Sequence, residues 1–392
     1  MIYLNQLGII CATGNSRHEV RQRIFESAQS GITPTDRHSP GRTLPLGCVE
    51  GPLPAVDHLP LRERSRNNQL ALAALAQIRA EVDAAIARFG ADRVGIVIGT
   101  STSGIAESEA ALHEHAVSGM LPGHYHYGQQ ELGSPATMLA LELGTGGPAY
   151  VHSTACASSG KAMASAARLL NMGICDAVVA GGVDSLCAFT VAGFAALESV
   201  SEARCNPLSA NRKGINIGEG AALFLMTREP AAVSLRGWGE SSDAHHMSAP
   251  EPSGKGASIA IEKALARAGI DPAQIDYINL HGTATPQNDA MESRAVHALF
   301  GSSVAVSSTK AFTGHALGAA GAIEAALCWL AMQDDNSEGL LPPHLWDGVP
   351  DPALPQLNAV APGTHLGRPL AWAMSNSFAF GGANAALVFG RG

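Results

Sequence analysis

One thiol, two imidazoles and one ammonium stand in stretches of this chain whose local sequence could make them reactive. Cys156 lies in VHSTACASSGKAMASAARLL, where a polar turn opens directly into an alanine-rich helical pattern. A thiol at a helix start sits among backbone N–H groups that have no partner within the helix, at the positive end of the dipole, and both favour a thiolate nucleophile. His281 ends an apolar strand pattern in YINLHGTATPQND, and the Gly-Thr turn that follows lets a ring face a cleft. Lys310 and His315 flank a Thr-Gly turn in SSTKAFTGHALGAAGAIEAALCWL, which leads into a helix whose small residues Gly318, Ala319, Ala320 and Gly321 admit a close neighbour. NSFAFGGANAALVFG adds Phe378, Phe380, Gly381 and Gly382, a turn with bulky aromatics between two strands. Each stretch alone has a plain structural alternative. Cys156 suits a core, His281 a hydrogen-bonded structural role, the small residues close packing with Lys310 solvated, and the Phe-Gly turn a β-hairpin connection.

The elements that must position these groups are strand-like apolar runs alternating with helical patterns. RVGIVIGT (93–100), DAVVAGGVDS (176–185), GAALFLMTRE (220–229), IDYINLHGT (275–283) and LAWAMSNSFAF (370–380) read as strands, and their alternation with helices predicts a layered α/β fold. The first series ends near Glu229-Pro230, and AAVSLRGWGES begins a second with the same layout, so the boundary is placed at about residue 230. In GASIAIEKALARAGI, Ile259, Ile261, Leu265 and Ile270 are expected on one buried helix face, with Gly269 as the stop. Segments 29–60 and 335–368 are rich in Pro and Gly and read as surface excursions.

The totals bound the functions available. The chain has 392 residues, 46% of them apolar and 15% charged, with 43 glycines, which suits large buried cores and excludes disorder. A formal net charge of −9 argues against a general nucleic-acid binder. The seven cysteines include no C-x-x-C pair and an odd member, so neither a disulfide framework nor a zinc site is predicted. The opening MIYLNQLGIICATG has no basic segment before its apolar run, and no stretch reaches the roughly 18 apolar residues of a spanning helix. A reduced, cytoplasmic protein without membrane insertion is the expectation.

As an ordered set, TACASSG, HGTATPQND, STKAFTGHALGAAGAIEA and NSFAFGGAN resemble the elongating β-ketoacyl-acyl carrier protein synthases of the thiolase-like superfamily, over nearly the whole chain. The resemblance implies a thiolase-like α/β fold of two similar halves in αβαβα layers, residues 1–230 carrying the cysteine and 231–392 the two histidines. It implies Cys156 as the nucleophile that takes an acyl group from a carrier thioester, with the N–H groups of Cys156 and Phe380 as oxyanion hole. His281 and His315 would hold the enolate left when malonyl-carrier protein loses CO2. Lys310 and its carboxylate partner Glu324 would organise the histidines, and Thr283 and Thr285 would hold the pantetheine arm.

Further expectations follow from the same resemblance. Phe378 and Phe380 match the gating turn, with Asp243 at the hinge of a partner loop, GWGESSDAHHMSAPEPSG. Ala379 stands where the family usually has glycine between the aromatics; alanine resists positive φ, so a stiffer gate is expected. Acyl carrier protein is the implied partner, with docking on a positive patch made by Arg62 and Arg66, four apart on one helix face, and Arg64 nearby. A homodimer is expected, or a heterodimer with a homologous subunit. No cofactor is expected beyond the phosphopantetheine on the carrier. No metal is predicted either: His245 and His246 form a loop pair, and His124 and His126 have no carboxylate or cysteine close by in sequence. A thiolase would carry a second cysteine in the C-terminal glycine-rich segment, which NSFAFGGAN lacks. Initiating synthases and chalcone-synthase-like enzymes use His and Asn where both positions here are histidine. A non-condensing partner subunit that shapes chain length would typically replace the nucleophile.

Overall fold

A computed structural model describes residues 1–392. Its strands are β1 (Ile2–Cys11), β2 (Thr33–Thr35), β3 (Leu44–Leu46), β4 (Val94–Gly99), β5 (Ala149–His152), β6 (Ala177–Asp184), β7 (Gly220–Thr227), β8 (Val233–Ser242), β9 (Tyr277–Asn279), β10 (Ala305–Ser307), β11 (Asn358–Ala359), β12 (Trp372–Phe378) and β13 (Ala383–Arg391). Strands β2 and β3 pair separately, and the others join in the order β11-β10-β9-β12-β13-β8-β1-β7-β6-β4-β5.

That order contains a repeat that residue identity alone does not reveal. The first half runs β5-β4-β6-β7-β1 and the second β10-β9-β12-β13-β8, so each visits its strands in the same spatial sequence. The directions match as well. Strand β4 is parallel to β5 and β6, with β7 antiparallel to β6 and β1. Likewise β9 is parallel to β10 and β12, with β13 antiparallel to β12 and β8. The halves meet where β1 pairs with β8 through Ile2↔Leu235 and Tyr3↔Ser234.

Helix Ser158–Asn171 follows β5 and helix Ala320–Ala331 follows β10, so the two occupy equivalent places. They pack on each other and on strands of both halves, forming the central layer. Helices Arg66–Ala76 and Ser134–Leu143 cover the outer face of the first half, and Lys255–Ala268 and Pro286–Phe300 that of the second, which gives the αβαβα arrangement. Strands β4, β6 and β7 are buried at every position, which explains their unbroken Val, Ile, Leu and Ala runs. All of Ala320–Ala331 is buried, as a helix apolar on every side except at Glu324 requires.

Two local expectations change. In helix Lys255–Ala268 the buried face is Ala257, Ala260, Ile261, Ala264 and Leu265, whereas Ile259 and Ile270 remain partly exposed. The cause lies in β8, where a Cβ on Gly239 would stand 1.8 Å from the Ala260 carbonyl oxygen, so helix and strand meet through alanine and glycine. Gly269 does stop the helix, at φ 71. Segments 29–60 and 335–368 are not purely surface: Leu44, Leu46, Leu341 and Val360 are buried and anchor them.

Candidate active site

The turn between β5 and helix Ser158–Asn171 is built by its own residues. Ala155 takes φ 48, a left-handed conformation that is costly for a residue with a Cβ. The Ser158 hydroxyl closes this turn, accepting from Thr154 N–H at 2.9 Å and donating to the Ala155 carbonyl at 2.6 Å. Cys156 is thereby placed at a cavity of about 300 Å³ that is also lined by His281, His315, Thr283, Thr285, Phe378 and Phe380. Its Sγ lies 3.0 Å from His315 Nε2. One donor atom from each of Cys156, His281 and His315 falls within 4.8 Å of the others.

The expected thiolate is not what this setting favours. Burial pushes the Cys156 thiol up to about 11, outweighing the opposing pull of the Lys310 ammonium and of the N–H groups of Phe380 and Cys156. The sulfur loses more by leaving water than the Lys310 charge and these N–H groups return. At neutral pH the group is a thiol, with His315 Nε2 within hydrogen-bond reach of the sulfur.

His281 follows β9 and is held from beneath by Glu292, whose carboxylate accepts from His281 N–H at 2.8 Å and from Gly282 N–H at 2.7 Å. Burial pushes the Glu292 carboxyl up to about 7 against those two bonds. Lys310 Nζ lies 3.4 Å from His281 Nδ1, also bonds the His281 carbonyl, and pairs with Glu324 inside the protein. An ammonium can only donate, so Nδ1 accepts and the His281 proton sits on Nε2. His315 is fixed through its backbone, donating to the Asn216 carbonyl at 2.7 Å and accepting from Gly218 N–H at 2.9 Å. The two rings stand edge to face with centroids 5.3 Å apart. Burial first, and the Lys310 charge second, hold both imidazoles well below the ordinary histidine range, so both are neutral. Burial pushes Glu324 up to about 7 although Lys310 opposes it.

The β12–β13 hairpin lines the cavity through Phe378, Ala379 and Phe380, and the Phe380 ring packs against Phe194 at a 39° tilt with centroids 5.6 Å apart. Gly381 N–H donates to the Met247 carbonyl at 2.8 Å, and Asp243 N–H to the Gly382 carbonyl at 2.9 Å. The Asp243 carboxylate accepts from Asn384 Nδ2 at 2.6 Å and from Glu251 N–H at 2.9 Å, tying the two loops together. Ala379 is extended, at φ −106 and ψ 154, while Gly381 and Gly382 take φ 80 and 77. The alanine therefore strains nothing in this arrangement. Thr283 Oγ1 and Thr285 Oγ1 lie 3.0 Å apart on the cavity wall.

This geometry has relatives. Residues 47–232 match the Beta-ketoacyl synthase, N-terminal domain, and residues 232–345 the Beta-ketoacyl synthase, C-terminal domain. This chain belongs to the beta-ketoacyl synthase family. A 3-oxoacyl-[acyl-carrier-protein] synthase 2 from Synechocystis sp. is 32% identical over 99% of this chain and 97% of its own length. One from Staphylococcus aureus (strain COL) gives 32%, 99% and 97% likewise. Among solved structures, a chain of a ketosynthase in complex with its chain length factor, from Xenorhabdus doucetiae, superimposes with TM-score 0.93 at 45% identity, covering 100% of this chain and 98% of that one. A beta-ketoacyl synthase from Burkholderia phymatum STM815 gives TM-score 0.87 at 27% identity, covering 100% and 99%. The fold is thiolase-like and the protein is a condensing acyltransferase.

For this β-ketoacyl synthase the arginine patch must be redrawn. Arg62 lies in a 3-10 turn after Pro60, and Ser65 caps a new helix that begins at Arg66, so the two do not share a helix face. Arg66 points inward to the buried Glu219, Nε to Oε2 at 2.9 Å. The Arg64 guanidinium is occupied by the Leu59 and Asp57 carbonyls, at 2.8 and 2.7 Å. Arg62 alone is well exposed, beside Glu63. His124 also departs from expectation, because folding brings Glu114 within 3.4 Å of it at the surface. Glu292 escaped the sequence reading although it lies three positions after Asp289, on the helix beneath the His281 turn. Phe194 gave no signal, since its stretch reads as an ordinary apolar helix.

Proposed function

We propose that Cys156 takes an acyl group from an acyl carrier protein and passes it to the carbanion formed from malonyl-acyl carrier protein, with loss of CO2. The observation that carries this reading is the meeting of one thiol and two neutral imidazoles at the foot of one cavity. In the first half-reaction the Cys156 sulfur bonds the acyl carbon, the carrier sulfur leaves, and the proton of the Cys156 thiol ends on that carrier sulfur. The N–H groups of Cys156 and Phe380 lie at the sulfur and would stabilise the oxyanion of the tetrahedral intermediate.

In the second half-reaction the malonyl carboxylate departs as CO2 and its bonding pair becomes an enolate. N–H donation from His281 and His315 holds the enolate oxygen, and neutral rings do so without protonating the carbon that must attack. That carbon then bonds the acyl carbon and expels Cys156 sulfur, which takes a proton from solvent. Lys310, paired with Glu324, keeps His281 in the donating tautomer. Thr283 and Thr285 would bond the pantetheine arm, with Phe378, Phe380 and Asp243 in the gate. Side chains and substrates supply every step, so the reading calls for no cofactor beyond the carrier's phosphopantetheine and no metal; the Lys310 charge beside the rings opposes a cation there.

The likeness to a chain from a ketosynthase and chain length factor complex favours a homologous subunit as a second partner, beside self-association. Cys156 with both histidines supports the condensing side of such a pair for this chain. The seven free cysteines suit a reducing cytoplasm, and no helix is long and apolar enough to cross a membrane. The test supplies the purified chain, alone and with a candidate second subunit, with acyl- and malonyl-carrier proteins. A β-ketoacyl-carrier product identified by mass supports the reading, and CO2 release without a condensed product, alone and in the pair, refutes it.

A further inference from the structure

The His315 segment is anchored by residues of the opposite half. Helix Ala320–Ala331 has no side-chain cap of its own, its N-cap position being Ala319. Instead, Ala322 N–H in its first turn donates to Ser159 Oγ at 2.9 Å, and Gly318 N–H just ahead of it donates to Asp184 Oδ2 at 2.6 Å. Ser159 lies three residues after Cys156, and Gly318 three residues after His315. Between His315 and Gly318, Leu317 takes φ 48, a conformation that persists only where its surroundings enforce it.

Asp184 is fully buried at the end of β6. Besides Gly318 N–H it accepts from Thr100 Oγ1 at 2.6 Å, Ser101 N–H at 2.8 Å and Oγ at 2.7 Å, and Thr102 N–H and Oγ1 at 2.8 Å each. A carboxylate ringed by donors, with the loop after β4 wrapped on one side and the His315 turn on the other, is a rigid node. Close approach is built in: a Cβ on Gly182 would stand 2.6 Å from Ser159 Cβ and 3.1 Å from Ala319 Cα, and one on Gly318 would stand 2.8 Å from Asp184 Oδ2.

We infer that Ser159 and Asp184 are positioning residues that cap the His315 segment across the two halves and thereby set its contact with the Cys156 sulfur. The inference rests on the reading that these two groups act together. Neither residue touches substrate; both act by holding His315 Nε2 at its 3.0 Å distance from Sγ.

Ser159→Ala removes one acceptor and little volume. It should lower kcat for condensation about tenfold with KM for both carrier substrates unchanged, since small misplacements at the reacting atoms cost rate before binding. It should also change the rate at which iodoacetamide alkylates Cys156. Asp184→Asn, which places an amide among donors, should do more, about 100-fold in kcat. Val82→Ala in the outer helix Arg79–Phe89 serves as a stability control. Wild-type kcat in Ser159→Ala, or a loss reproduced by Val82→Ala at equal Tm, overturns the inference, and it does so even if Asp184→Asn fails to fold. Alkylation separates the two readings. If the wild-type enzyme does not condense, the function falls; if Ser159→Ala alkylates as wild type does, the clamp falls whatever the activity.

Discussion

The helix after β5 and the helix after β10 hold equivalent positions in the two halves, and each has its reactive group just ahead of its first turn, yet they are secured differently. The Cys156 turn is closed by near neighbours, chiefly Ser158, and its helix keeps partly exposed residues such as Lys161 and Ser165. The His315 helix is buried at every position and takes its anchors from afar: Asn216, Gly218, Ser159 and Asp184. One architecture repeated twice thus holds the Cys156 thiol, the proposed nucleophile, by locally coded geometry and His315, the proposed donor, by long-range geometry. The donor side also contains the buried Lys310–Glu324 pair, for which the nucleophile helix has no counterpart.

Substitutions on the two sides should break this comparison unequally. Cys156→Ala should have the largest effect, reducing condensation to background in a product assay; a comparable rate in the variant would remove the nucleophile from the scheme. His281→Ala and His315→Ala should each slow CO2 release from malonyl-carrier protein by about 10²–10³-fold with unchanged circular dichroism. Normal release in both would leave the imidazoles without a role. Glu324→Ala strands a buried ammonium and should cost about 3–5 kcal/mol in urea unfolding, whereas Lys161→Ala on the equivalent helix should stay within about 0.5 kcal/mol. Equal costs would contradict the contrast in burial. The smallest effect sharpens the nucleophile side. With the thiol pushed up to about 11, the group is protonated at neutral pH and its thiolate fraction grows as pH rises. Alkylation of Cys156 should therefore climb by about tenfold per pH unit between roughly pH 7 and 9. A plateau already reached at neutral pH would mean that the helix start, not burial, governs the sulfur.

The sequence carried the strands through their unbroken apolar runs and the family through the order of four motifs. It misjudged groups whose behaviour depends on what surrounds them. Arg66 looked like surface charge because spacing says nothing of a buried Glu219 far along the chain. Ala379 looked like a strained substitution because backbone angles belong to the folded loop, which puts the positive φ on Gly381 and Gly382. Glu292 was legible in principle, from helical spacing beneath the His281 turn, whereas Phe194 was not.

What the sequence determined by itself is local: which segments become strands, where a polar turn hands over to a helix, and which side chains stand at those junctions. Only the tertiary structure decided that Cys156 is a thiol beside neutral rings, that Lys310 fixes the tautomer of His281, and that Ser159 and Asp184 reach across to the His315 segment. The physical reason is range. Propensity and periodicity act over a few residues, but desolvation, charge coupling and hydrogen-bond geometry depend on groups brought together from distant parts of the chain.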